Sequence, residues 1–287
     1  MDHAQLHKAL TATLYYWQSC GIDILSKDPT REAQEQADIQ ACAYLQEPEP
    51  SVQPLNTPSV SVQNQQEITP KQQRVSPSPA LSIDSPVKSI LSNTPIKTIP
   101  IEKREAMMAE LEKEITHCQR CQLVGFRQRT VLGVGSLQAP VVFVGEAPGA
   151  DEDREGIPFV GAAGQLLDKM LHSIGFIRQD IYIANVLKCR PPGNRNPLPN
   201  EVEQCQGYLV RQLEIIQPQA IFVMGKFAIS TLLGRNDPVG RIRGQVYQWR
   251  KIPVIASYHP AYYLRQPVQK KAAWHDLLLL QKTLKKQ

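Results

Sequence analysis

The residues in this chain best suited to chemistry are four cysteines and a set of polar side chains on glycine- and proline-rich segments. Cys118 and Cys121 form a C-x-x-C, and Cys189 and Cys205 follow with fifteen residues between them. Four thiolates can close a tetrahedral zinc site or ligate a cubane iron–sulfur cluster. Zinc ribbons use two C-x-x-C pairs, so the split second pair favours a cluster. Ligand chemistry alone leaves zinc, a redox dithiol and four plain buried thiols as alternatives. Cys20 and Cys42 read as ordinary thiols.

The polar set begins with Gly145-Glu146-Ala147-Pro148-Gly149, then Asp151, Glu152 and Asp153, then Gly156-Ile157-Pro158-Phe159-Val160-Gly161-Ala162-Ala163-Gly164. A carboxylate on such a turn can orient water or act as a base, and a phenylalanine between Pro and Gly can offer a ring face to a planar ligand. Asn185 opens Asn185-Val186-Leu187-Lys188-Cys189-Arg190-Pro191-Pro192-Gly193-Asn194-Arg195-Asn196-Pro197. Its amide has both a donor and an acceptor and can pair with one edge of a pyrimidine. His259 stands before Pro260, beside Tyr258, Tyr262, Tyr263 and Arg265. Taken singly, each fits a plain structural role equally well: a solvated acidic turn, a core phenylalanine, a strand-end asparagine capping backbone, a satisfied histidine.

These segments are set between regular elements. Pro140–Val144, Asp180–Val186, Ala220–Met224 and Pro253–Ser257 read as buried strands. Helices are predicted over Ile101–Ile115, Ala162–Ile174, Asn200–Gln217 with Asn200 as N-cap, Lys226–Leu233 closed by Gly234, and Val268–Lys285. Alternating strands and helices predict an α/β three-layer sandwich, a central, mostly parallel four-stranded sheet flanked by helices. Ligands of such sheets sit beyond the carboxyl ends of the strands, which is where the polar segments fall.

Three zones are expected. Residues 1–45 carry Leu6, Leu10, Leu14, Tyr15, Trp17 and Ile22 at helical spacing, with Gly21 as a C-cap, and a second helix over Thr30–Leu45. Residues 46–100 are rich in Pro, Ser, Gln and Thr, and no aromatic residue occurs between Tyr44 and Phe126. Such a stretch reads as a flexible linker. Residues 101–287 form the globular domain. Formal net charge is +5 from 32 basic and 27 acidic residues, which permits nucleic-acid binding without requiring it. Basic residues cluster late, including Arg241, Arg243, Arg250, Lys251, Arg265, Lys270 and Lys271. Neither a secretory leader nor a run of about 18 apolar residues is present, so a cytoplasmic protein without a membrane span is expected.

Together the motifs resemble those of the bacterial and archaeal family 4 uracil-DNA glycosylases, which carry a four-iron, four-sulfur cluster. The resemblance rests on G-E-A-P-G (145–149), G-I-P-F-V-G-A-A-G (156–164), N-V-L-K-C-R-P-P-G-N-R-N-P (185–197), H-P-A-Y-Y-L-R (259–265) and the order of the cysteines, and spans about residues 103–285. It implies that Cys118, Cys121, Cys189 and Cys205 ligate a structural cluster. It also implies that Glu146 positions or activates water, Phe159 stacks on the flipped uracil beside Ala147, Asn185 reads the base edge and rejects cytosine, and His259 binds the uracil O2. Glu152 and Asn194 would support the site by hydrogen bonding. Arg265 and the Tyr262–Leu264 segment would face DNA, with Leu264 filling the gap left by the base. Family 1 enzymes have Asp where Ala147 stands and Tyr where Gly149 stands, so the water-activating group and thymine exclusion must differ here. The basic histidine insertion of covalently trapping relatives is missing, which predicts turnover.

The implied partner is uracil-containing DNA, single- or double-stranded, bound by a monomer, with residues 1–45 docking on a replication or repair protein. Two rival readings are a DNA-binding or polymerase-associated module with a structural metal and no activity, and an electron-transfer iron–sulfur protein.

Overall fold

The structure, a computed structural model, describes residues 98–286. The expected helices of residues 1–45, Cys20, Cys42 and nearly all of the linker lie outside the described residues.

Six strands form one sheet: β1 (Val134–Gly135), β2 (Val141–Gly145), β3 (Tyr182–Asn185), β4 (Ala220–Met224), β5 (Val246–Trp249) and β6 (Ile252–Ser257). Their order is β1-β3-β2-β4-β6-β5. The four inner strands are parallel, and the two edge strands run antiparallel to their neighbours. The inner strands are those the sequence predicts, because near-continuous Val, Ile, Phe and Ala runs suit strands buried on both faces. The sheet nevertheless has six strands rather than four. β1 has only two residues and leaves no periodic signal. β5 joins β6 through Arg250 and Lys251, both at positive φ (46° and 72°). Hairpin turns of that shape are normally announced by Asn-Gly or Asp-Gly, so an Arg-Lys turn is silent in the sequence.

The helices are α1 (Ile101–Thr116), α2 (Ala150–Glu155), α3 (Ala162–Ser173), α4 (Pro199–Ile216), α5 (Lys226–Leu233), α6 (Val239–Ile242), α7 (Pro260–Arg265) and α8 (Lys270–Leu284). They cover both faces of the sheet. Val142, Val144, Ile221, Val223, Val254 and Ala256 pack with Leu111, Leu209, Leu213 and Ile229 on one face. Val141, Phe143, Phe222, Met224 and Ile255 pack with Leu167, Met170, Leu277 and Leu280 on the other. This alternation is the period-2 geometry of strands, and each such buried Val, Leu, Ile, Phe or Met side chain contributes about 1.5–3 kcal/mol.

Helix α4 starts one residue before the expected cap. Leu198, not Asn200, is its N-cap; Pro199 occupies the first turn with its φ already helical, and Glu201 accepts the Leu198 N–H at 2.9 Å. Helices α2, α6 and α7 were not legible from periodicity, being six residues or shorter. Parallel pairing sets Gly145 opposite Asn185 and Met224 opposite Ser257, so the segments after β2, β3 and β6 leave the sheet along one edge.

Candidate active site and sulfur cavity

Along that edge lies a cleft of about 510 Å³, within the range of ordinary small-molecule sites. Glu146, Ala147 and Glu152 line it from the segment after β2, Phe159 from the following loop, Asn185 and Asn194 from β3 and beyond, and His259 and Arg265 from the segment after β6. The loops thus bring together every uracil-pocket residue implied by the resemblance.

Their surroundings divide the roles. The Glu146 carboxyl is raised to about 7, and burial is the cause. His259 is held down to about 4, first by burial and then by the positive charge of Arg265. Its Nδ1 accepts the Ala261 N–H at 3.2 Å. At neutral pH the ring is therefore uncharged and carries its proton on Nε2, which makes Nε2 a hydrogen-bond donor. The Phe159 ring stacks on His259 with centroids 5.4 Å apart and planes 29° apart. Asn185 is 2% exposed, and its Oδ1 is buried with no hydrogen-bond partner. Gly145 keeps the floor open, since a side chain there would strike Asn185 Oδ1 and the Phe159 ring.

Glu152 works inside the wall. Its carboxylate accepts the N–H groups of Gly149 at 3.0 Å, Val160 at 3.0 Å and Gly161 at 3.1 Å, tying the two pocket loops together. The Gly149 amide is thereby occupied. Asn194 Oδ1 accepts from Arg190 Nε at 2.8 Å.

Several supporting residues were not singled out from the sequence. Phe159 sits at φ 56°, a conformation that costs a non-glycine residue about 1–3 kcal/mol. Arg178 holds it there: the guanidinium donates to the Pro158 carbonyl at 3.1 Å and to the Phe159 carbonyl, and pairs with Asp168. Gly225, at φ 91°, lets His259 pack against its backbone. Asp276 is buried, receives Arg243 at 3.0 and 3.1 Å, and accepts Ser257 Oγ at 2.8 Å, while Ser257 meets Tyr263 Oη at 2.9 Å. This network anchors the end of β6 beneath His259.

The segment expected to face DNA is only partly outward. Leu264 is 43% exposed and Arg265 borders the cleft. Tyr262 stacks on Tyr258 with ring centroids 4.3 Å apart, outside the cleft lining. Tyr263 is fully buried, which corrects the outward placement of the whole segment. The late basic cluster is also partly spent, since Arg243 pairs with Asp276 and Arg250 with Glu214.

A second cavity is lined by Cys118, Cys121, Cys189 and Cys205 together with Arg120, Arg127 and Lys188. All four thiols are free. Arg127 donates to Cys189 Sγ at 3.3 Å and to the Cys118 carbonyl at 2.9 Å, and the Lys188 N–H reaches Cys205 Sγ at 3.3 Å. Burial pushes the Cys205 thiol up to about 12 and also raises Cys121 and Cys189. Among the described residues, no three or more His, Cys, Asp or Glu side chains gather closely enough to hold a single metal ion.

The family model for the uracil DNA glycosylase superfamily matches residues 132–278. The chain belongs to that superfamily. Within it, the chain is 51% identical over 166 residues to the type-4 uracil-DNA glycosylase of Archaeoglobus fulgidus, covering 55% of this chain and 83% of the relative. It is 41% identical to that of Saccharolobus solfataricus over 60% of this chain and 83% of the relative. It is 42% identical to that of Thermotoga maritima over 56% and 85%. These likenesses put it among the type-4 members of the superfamily, and its mixed sheet under two helical layers is the fold of that group. No helix among the described residues is long and apolar enough to cross a membrane.

Proposed function

We infer that this protein hydrolyses the N-glycosidic bond of uracil in DNA, releasing the base and leaving an abasic site for base excision repair. One observation carries the reading: Asn185 Oδ1 is a buried acceptor without a partner at the floor of the cleft. Such an orphan costs about 1–3 kcal/mol, which a ligand N–H would recover. Uracil presents N3–H to Oδ1 and O4 to Nδ2. Cytosine reverses both and would leave the pair clashing.

As the bond breaks, positive charge grows on the sugar and negative charge on the leaving base. His259 Nε2–H would bind O2 as that charge develops, a preorganised donor in place of a strong acid. Glu146 would accept a proton from the attacking water, a role that falls to it because Ala147 offers no carboxylate. Phe159 would stack on the flipped base, while Glu152 and Asn194 hold the loops. Arg265, Leu264 and Tyr262 would meet DNA, with Leu264 entering the vacated stack.

Cys118, Cys121, Cys189 and Cys205 would ligate a 4Fe-4S cluster. The donor set fits: four free thiols around one cavity, two receiving N–H groups, with three cations close by. A cubane takes one thiolate at each of four irons, a ligand count that the four cysteines lining this cavity match. When bound, the cluster supplies a cross-link between the end of α1, the segment after β3, and α4. We further propose a cytoplasmic monomer acting on single- and double-stranded DNA, with residues 1–45 docking on a replication or repair protein.

Extruding the base costs a few kcal/mol, less when it is mispaired or unpaired. Oligonucleotides carrying one uracil, incubated with the protein and then treated with alkali, should break only at uracil, faster in single strands and U·G than in U·A. Intact uracil strands would overturn the reading.

A further inference from the structure

Lys188 is 1% exposed. Its ammonium donates to the Asn185 carbonyl at 2.7 Å and to Gln212 Oε1 at 2.6 Å. Both acceptors are neutral, and among the described residues no carboxylate lies within ion-pair distance of it. Gln212 is itself fixed, donating to the Leu132 carbonyl at 2.8 Å and to Tyr182 Oη at 3.2 Å. A buried cation without a counter-ion is costly, and a methionine would fill the same space at lower cost. The charge therefore calls for an anion that the protein side chains do not provide.

A cluster bound in the sulfur cavity would provide one. Lys188 lines it, precedes Cys189, and gives its backbone N–H to Cys205 Sγ at 3.3 Å. Four thiolates around a cubane leave a net negative charge. The same side chain grips the backbone of Asn185, whose carboxamide forms the pocket floor. We propose that Lys188 is a positioning residue that balances the cluster's charge and, through the Asn185 carbonyl, holds the uracil-reading carboxamide in register. This rests on the glycosylase and cluster reading given above.

The test uses the full chain purified with its cluster, reading the cluster's reduction potential and single-turnover uracil excision. A nearby cation favours the reduced, more negative cluster. Lys188→Met should therefore move the potential to more negative values and slow excision about 10–100-fold, the usual loss for outer-shell partners. Lys188→Arg, which keeps the charge but not the shape, should keep the potential and still lose excision. Gln212→Glu offers the ammonium a carboxylate partner at the cost of the bond to the Leu132 carbonyl, and it too should move the potential negative. An unmoved potential in Gln212→Glu, or one equal in Lys188→Met and Lys188→Arg, overturns the proposal. A wild-type protein that excises uracil without a cluster, or holds a cluster without excising uracil, overturns the underlying reading and the proposal with it.

Discussion

The two cavities treat polar atoms in opposite ways. In the cleft, Glu146 is partly buried without a charged partner and Asn185 Oδ1 is buried without a donor. Around the cysteines, Arg127 and the Lys188 backbone already reach Sγ atoms. The first site stores unmet hydrogen-bonding capacity, which a passing ligand can satisfy and then release. The second is furnished for an occupant that stays. Only four chain positions separate Asn185 from Cys189, so the two designs share one short segment.

The contrast is broken most severely at Glu146. Glu146→Gln should cost about 10²–10⁴ in single-turnover excision, the usual range for a general base. Its carboxyl is raised to about 7 by burial, so below that pH the base is protonated and idle. The wild-type kcat/KM should climb as pH rises through about 7, and the variant's profile should lack that limb. The folded protein also retains a proton that the unfolded chain releases near the ordinary value of 4.5. Wild-type stability should therefore fall between about 4.5 and 7 relative to Glu146→Gln, measurable by thermal melts.

His259→Ala removes one preorganised donor and should cost about 10²–10³ in rate, with binding of undamaged DNA unchanged. Phe159→Ala loses a stacking face worth about 1–3 kcal/mol, or roughly 5- to 150-fold in affinity for free uracil. Arg178→Met releases the Pro158 and Phe159 carbonyls; chemical denaturation should show a loss of about 1–3 kcal/mol, on the scale of the strain it restrains.

The legible parts of the molecule are those built from composition. Val141–Gly145, Tyr182–Asn185, Ala220–Met224 and Ile252–Ser257 are apolar runs, two of them closed by Asn185 and Ser257, and the motifs after three of them line one cleft. What stayed hidden depends on partners distant in sequence. Arg178 reaches back to Pro158 and Phe159, Asp276 joins Arg243 to Ser257, and Gln212 meets Lys188. An arginine or glutamine on a helix or turn carries no local sign of such a contact. Tyr263 illustrates the same limit: its neighbour Leu264 is exposed, and only the helical turn of α7 decides which of the two faces inward.

The smallest effect should come from removing residues 1–100, which ought to leave oligonucleotide cleavage nearly intact while weakening any partner contact; a large loss in the oligonucleotide assay would place part of the site in that segment.

A crystal structure with uracil bound would show directly whether the cleft side chains form a base pocket. The base should lie against Phe159, with N3–H on Asn185 Oδ1, O4 on Nδ2 and O2 on His259 Nε2. A base seated elsewhere, or one leaving Asn185 Oδ1 without a donor, would contradict that reading.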